Sequence, residues 1–156
     1  GYGKVGKTPA VLREAERLKD VLRTAHTSAG RHESTAEHTW RLALLAAVLT
    51  DEKPQLDMQR VLLMCLVHDL GEAYDGDIPA VAQAAPGAKA ASERAAIERL
   101  TQLLPEESGR KLRKIWEEYE ACATPEARWV KALTKPKPSS STTRERIPRI
   151  STTGST

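Results

Sequence analysis

His68 and Asp69 stand side by side at the end of an apolar run, Glu72 follows three residues later, and Glu37-His38 lies thirty residues upstream. Adjacent side chains on a helix point about 100° apart, so His68 and Asp69 can grip one ion from neighbouring positions if a second helix brings His38 across from them. Two imidazoles and a carboxylate suit Mn, Co, Fe, Ni or Zn better than Ca, with Mg also admissible, and leave positions open for water and phosphate oxygens. A divalent ion held there makes water a nucleophile near neutral pH and offsets charge on a phosphoryl group, so the chemistry implied is hydrolysis of a phosphomonoester. Glu72 and Asp77, the latter in Gly76-Asp77-Ile78-Pro79, are the carboxylates available to orient that water and protonate the leaving oxygen. The bland readings are a solvated helix-end residue for Glu72 and a turn residue for Asp77.

These side chains need helices to hold them. Pro9 and the Leu-spaced charged run after it predict a first amphipathic helix over about 10–25, with Val11, Leu18 and Leu22 inward. Ser34 with Glu37 three residues on is a capping-box pattern, and the run from Trp40 to Leu49 predicts a second helix on which His38, Leu42, Leu45 and Leu49 share a face. Asp57 is the expected N-cap of a third helix, whose nearly continuous apolar stretch Val61–Val67 should be central and buried, delivering His68 and Asp69 at its C-terminal end. Further helices are expected over about 88–103, from Pro105 at the N1 position, and from Thr124-Pro125-Glu126. No β pattern competes, so the fold class expected is all-α, a bundle of about six to seven helices.

At 156 residues with 40% apolar content, the chain is sized for one domain with a real core. No apolar run is long enough to span a bilayer, and Gly1-Tyr2-Gly3-Lys4 lacks the apolar core of a secretory signal, which predicts a cytoplasmic protein without membrane partners. Cys65 and Cys122 fall in no metal-thiolate spacing and read as buried free thiols in a reducing compartment. The net charge of +3 is local: beyond Leu133, five basic residues face only Glu145, a balance of +4 that leaves residues 1–133 near −1. Residues 135–156, rich in Ser, Thr, Pro and Arg, read as a disordered basic tail after a domain over 1–134. Only that tail would support nucleic-acid binding, which is therefore disfavoured.

The ordered set Arg31-His32-Glu33-Ser34-Thr35-Ala36-Glu37-His38, His68-Asp69, Glu72, Gly76-Asp77-Ile78-Pro79 and Thr124-Pro125-Glu126-Ala127-Arg128 resembles the HD-domain metal-dependent phosphohydrolases, within them the 5'-deoxynucleotidase branch. The resemblance runs from about Leu12 to Leu133. It implies a divalent metal on His38, His68 and Asp69, functional roles for Glu72 and Asp77, a nucleoside 5'-monophosphate or deoxynucleotide as substrate, and association as a homodimer. It also implies that an Arg near the first His holds the substrate phosphate, for which Arg23 and Arg31 are the candidates; the alternative for Arg31 is a surface position or a structural pair with Glu33. His26 and His32 are expected to be exposed bystanders.

The chain departs from that pattern on the helix after Thr124, which in the family carries a last Asp ligand in the context Lys-Ala-Leu-Asp-Lys. Here the residues are Lys131-Ala132-Leu133-Thr134-Lys135, and Thr134 is a neutral hydroxyl. Pro136 and Pro138 cannot continue the helix. One hypothesis for the departure is a one-nucleotide shift near Leu133: permissible codons for residues 134–156, read with one added G, can be chosen to begin with the missing Asp and to encode Phe, a residue this chain lacks. The runner-up reading is accordingly a catalytically weakened nucleotide- or metal-binding protein.

Overall fold

Asp57 opens helix α3 (Met58–Val67) by accepting a hydrogen bond from the Arg60 amide at 3.2 Å, as an N-cap should. Val61, Met64 and Cys65 on this helix are fully buried, whereas Cys122, expected to be buried as well, is only partly so. The computed structural model describes residues 8–75 and 85–135. Asp77, with the rest of Gly76-Asp77-Ile78-Pro79, and the tail beyond Lys135 lie outside the described residues.

Around α3 pack α2 (Thr35–Val48), α6 (Glu106–Ala121) and α7 (Pro125–Thr134), with α5 (Ala88–Thr101) against α6. Leu42 and Ala46 of α2, Val61, Met64 and Val67 of α3, Ile115 and Trp116 of α6, and Ala127 and Val130 of α7 form one core. Truncating a side chain such as Met64 there costs about 2–5 kcal/mol. A smaller cluster of Val11, Leu18, Ala73 and Leu100 attaches the N-terminal segment.

Local chemistry explains the helix ends. Ser34 accepts from the Glu37 amide at 3.2 Å and donates its own amide to the Glu37 carboxylate at 2.8 Å, the complete capping box. Thr124 caps α7 through the Ala127 amide at 3.2 Å, with Pro125 in the first turn. Pro105 sits one place earlier than expected, as the N-cap of α6. On α2 the inward face is Thr35, Thr39, Leu42 and Ala46, so Leu45 of the expected face is instead exposed.

The first helix differs more. The helix α1 (Thr8–Ala15) continues only as a 3-10 turn over Glu16–Lys19, and the chain then forms an antiparallel pair, β1 (Leu22–His26) with β2 (His32–Ser34). Val11 and Leu18 are buried as expected, but Leu22 is exposed on β1. The turn explains the switch. Gly30 adopts φ +86° and its amide bonds the Thr27 carbonyl at 2.9 Å, while the Thr27 amide bonds the Arg31 carbonyl at 2.7 Å. This closure lets residues 22–26 return along the chain, and the pairing outweighs their helical spacing. The architecture remains all-α with this one small hairpin.

After α3 the chain turns sharply through His68–Gly71 into the short helix α4 (Glu72–Asp75). Gly71 is required by close approach: a Cβ there would lie 2.8 Å from the Glu93 Cβ and 2.9 Å from its Cα on α5. The α3–α4 turn is thereby pressed onto α5, which brings α5 residues to the side chains of His68 and Asp69. Among the described residues no helix is long and apolar enough to cross a membrane.

Candidate metal centre and cleft

His68 caps the C-terminus of α3, and its Nδ1 lies 2.8 Å from the Cys65 carbonyl one turn back. That bond fixes the ring and directs Nε2 the other way, to 2.9 Å from Asp69 Oδ2. His38, on the first turn of α2 after its cap, brings Nε2 to 3.6 Å from the same Oδ2, and the two imidazoles meet edge-on at 5.6 Å. One ligand atom from each of His38, His68 and Asp69 falls within 4.8 Å of the others.

The donor set fits a divalent ion. His68 spends Nδ1 on the backbone and keeps Nε2 for the centre, the usual arrangement of a metal-bound histidine. His38 repeats it more loosely, with Nδ1 3.7 Å from the Glu33 carboxylate, a side chain only 14% exposed. Burial opposes a charge on His68, yet the hydrogen bond and charge of Asp69 outweigh it and raise the imidazole's pKa. Burial likewise pushes Asp69 upward, and His68, His38 and Arg23 together overcome this and hold its carboxylate low. The chain thus maintains an anionic oxygen between two imidazoles away from bulk water.

Glu72 is no solvated helix end. It is 3% exposed, accepts a hydrogen bond from Thr35 Oγ1 at 3.1 Å, and lies 3.9 Å from Lys89 Nζ on α5. Arg23 extends from β1 to place a guanidinium nitrogen 3.8 Å from Asp69 Oδ2, while its buried Nε has no hydrogen-bond partner among the described residues. Arg31 goes elsewhere. It is exposed and pairs with Glu37 at 2.5 and 3.0 Å on the outer side of the capping box, whereas the structural alternative for it is a pair with Glu33. His26 and His32, with tilted rings 4.2 Å apart, lie on the hairpin and are exposed as expected.

A cleft of about 350 Å³ opens beside His68 and Asp69, lined also by Lys89, Glu93, Tyr119 and Lys131. Tyr119 stands edge-on to His68 at 5.1 Å. Burial pushes its hydroxyl up to about 12, against the pull of a side-chain hydrogen bond with Thr134. Position 134, where the resemblance implies the last Asp ligand, therefore lies next to a residue packed on His68. Glu93 is driven up to about 7, first by burial, with Lys89 pulling the other way. Glu33, Thr35, Lys89, Glu93 and Tyr119 were not legible as site residues. Glu33 and Thr35 belong to a capping pattern that already explained itself locally, and the others reach the site only through packing of α5 and α6.

The chain is similar to known proteins over most of its length. The 5'-deoxynucleotidase HDDC2 of Homo sapiens is 37% identical over 124 residues, covering 78% of this chain and 60% of that protein. The Xenopus laevis protein of the same name is 39% identical over 118 residues, 74% of this chain and 58% of that one. This chain thus spans about three fifths of the length of these curated relatives. Among solved structures, one titled a predicted metal-dependent phosphohydrolase from Magnetospirillum magnetotacticum MS-1 superposes with a TM-score of 0.74 at 32% identity, covering 83% of this chain and 66% of that chain. A conserved hypothetical protein from Pyrococcus furiosus gives 0.66 at 26% identity, with coverage of 80% and 74%. The family profile described as HD domain matches residues 15–145, which include His38, His68 and Asp69. The chain belongs to the HD-domain family.

Proposed function

We propose that this chain is a metal-dependent phosphohydrolase that releases phosphate from nucleoside 5'-monophosphates, deoxynucleotides included. The observation that carries the reading is the convergence of His38, His68 and Asp69 on one point beside a cleft, with Arg23 reaching the same carboxylate. The names of the relatives, 5'-deoxynucleotidases, support the substrate class. A divalent ion held by the triad would supply Lewis acidity toward a phosphoryl oxygen and lower the pKa of water. Its identity is among Mn, Co, Fe, Ni, Zn and Mg.

In this reading the chain's own groups divide the work. Arg23 directs a guanidinium into the site, and its orphaned buried Nε gains an acceptor when a phosphate oxygen arrives. Glu72, desolvated and aimed by Thr35, accepts a proton from the attacking water. Asp77, outside the described residues, keeps its proposed role in protonating the leaving oxygen. Arg31 braces the capping box that presents His38, so its contribution to phosphate binding is indirect.

The test is phosphate release from a panel of ribo- and deoxynucleoside 5'-monophosphates, with each of these metals and after chelation. Metal-dependent release that chelation abolishes is the expected result; no release with any metal contradicts the reading. A second reading is favoured by one residue. Thr134 offers a neutral hydroxyl beside Tyr119, which supports a weakened nucleotide- or metal-binding protein. Nucleotide and metal binding without turnover would identify it.

A further inference from the structure

Two lysines line the cleft beside His68 and Asp69, and they are held differently. Lys131 Nζ sits 4.9 Å over the Tyr119 ring, a cation–π contact that engages its charge on the cleft wall. Lys89, on the first turn of α5, places Nζ 3.9 Å from Glu72 Oε1 and 3.7 Å from Glu93 Oε1. Both separations are ion-pair distances too long for tight hydrogen bonds. The ammonium thus stands at ion-pair distance from both carboxylates. One of those carboxylates is the buried Glu72, so the charge of Lys89 is directed at the groups that surround the triad.

We propose that Lys89 is a substrate-binding residue that holds a phosphate oxygen in the cleft, from a different element than Arg23. This rests on the phosphohydrolase reading and extends it. Three considerations support it. Asp69, Glu72, Glu93 and Glu120 crowd the same region, so a phosphate dianion entering there meets like charge that a cation besides Arg23 would offset. A lysine ammonium is a compact charge with three donors on a flexible stem, so it can turn from a carboxylate to a phosphate oxygen without breaking a fixed fork geometry. Its side chain is 37% exposed, enough to meet an incoming ligand, while Glu72 behind it is nearly sealed. Gly71 makes this possible: the close approach it permits sets α5, and Lys89 with it, against the turn that carries Asp69.

The experiment measures inorganic phosphate binding by calorimetry to the full chain saturated with Mn²⁺, for wild type, Lys89→Met and Lys89→Arg, alongside KM and kcat for a deoxynucleoside 5'-monophosphate. Lys89→Met should weaken phosphate binding roughly tenfold or more, the scale of one charge-assisted hydrogen bond, and raise KM more than it lowers kcat. Lys89→Arg should recover much of the loss, and Mn²⁺ affinity and helical content should stay as in wild type. Equal phosphate affinity in wild type and Lys89→Met overturns the assignment. A fall in kcat with unchanged phosphate affinity also overturns it, and makes Lys89 a positioning residue for Glu72. A wild-type chain that binds neither phosphate nor nucleotide with Mn²⁺ present would instead remove the phosphohydrolase reading, and this proposal with it.

Discussion

Two arginine–carboxylate pairs flank the first histidine of the site, and they use the same chemical groups to opposite ends. Arg31 and Glu37 meet at 2.5 Å in the open, with the arginine side chain 62% exposed. Arg23 and Asp69 stand farther apart, at 3.8 Å, but largely withdrawn from water and against two imidazoles. The closer pair is screened and structural: it closes the cap that starts α2 and so presents His38. The looser pair lies where charge is poorly solvated and where an anionic oxygen sits between two imidazoles. Contact distance alone would favour Arg31; burial and neighbours are the grounds on which Arg23 is proposed for phosphate binding.

Removing the charge of the buried Glu72 carboxylate should have the largest effect. Glu72→Gln keeps the shape and the Thr35 contact but cannot take a proton, so kcat should fall about 10²–10⁴-fold while metal binding persists. Steady-state kinetics with parallel metal analysis checks this, and unchanged kcat would reduce Glu72 to a structural anchor.

A smaller effect is expected from adding charge to the same region. Thr134→Asp introduces a carboxylate on α7, beside the Tyr119 that packs on His68. It should tighten metal binding by about tenfold, a coulombic gain partly offset by desolvation. Titration with Mn²⁺ reads it directly. Turnover should recover only in part, because Pro136 and Pro138 follow and cannot extend the helix that aims the new ligand. Independent resequencing around codon 133 tests the one-nucleotide shift: an unbroken frame encoding Thr134 and the Ser/Thr tail ends that explanation.

The exposed pair should give the smallest response and a characteristic pH dependence. The hydrogen bond from Arg31, aided by the Ser34 amide, lowers the Glu37 pKa from 4.5 to about 2. A carboxylate whose pKa is depressed by folding stabilises the fold above its unfolded value, and that contribution is lost as pH falls through the folded one. Glu37→Gln should therefore lower Tm slightly at pH 7, with the difference from wild type vanishing between about pH 4.5 and 2 and shrinking in high salt. Thermal melts across that range decide it, and a difference that grows on acidification would mean the pair does not act through its charge.

The same contrast explains what could be read from the sequence. His68-Asp69 at the end of a continuous apolar run and Ser34-Glu37 ahead of His38 are local patterns, and each placed its residue correctly: a capping box at three-residue spacing and a buried helix both follow from near neighbours. The segment after Lys19 was not legible, because its helical leucine spacing competes with a hairpin whose turn depends on Gly30 and whose partner strand lies ten residues away. Arg31 was equally opaque. Its type and proximity to His38 suited a phosphate ligand, and only three-dimensional placement shows that Glu37 occupies it. Lys89, Glu93 and Tyr119 reach the site through packing of α5 and α6 against the α3–α4 turn, an arrangement that Gly71 enables and no local motif announces.

The central claim is that His38, His68 and Asp69 hold one divalent ion, and the most direct measurement is metal titration of the full chain beside His68→Ala, with circular dichroism on both. Wild type should bind one equivalent, and the variant should lose stoichiometric binding with its helical content largely intact. One equivalent bound with equal affinity by both proteins would contradict the account, since His68 would then not be a ligand.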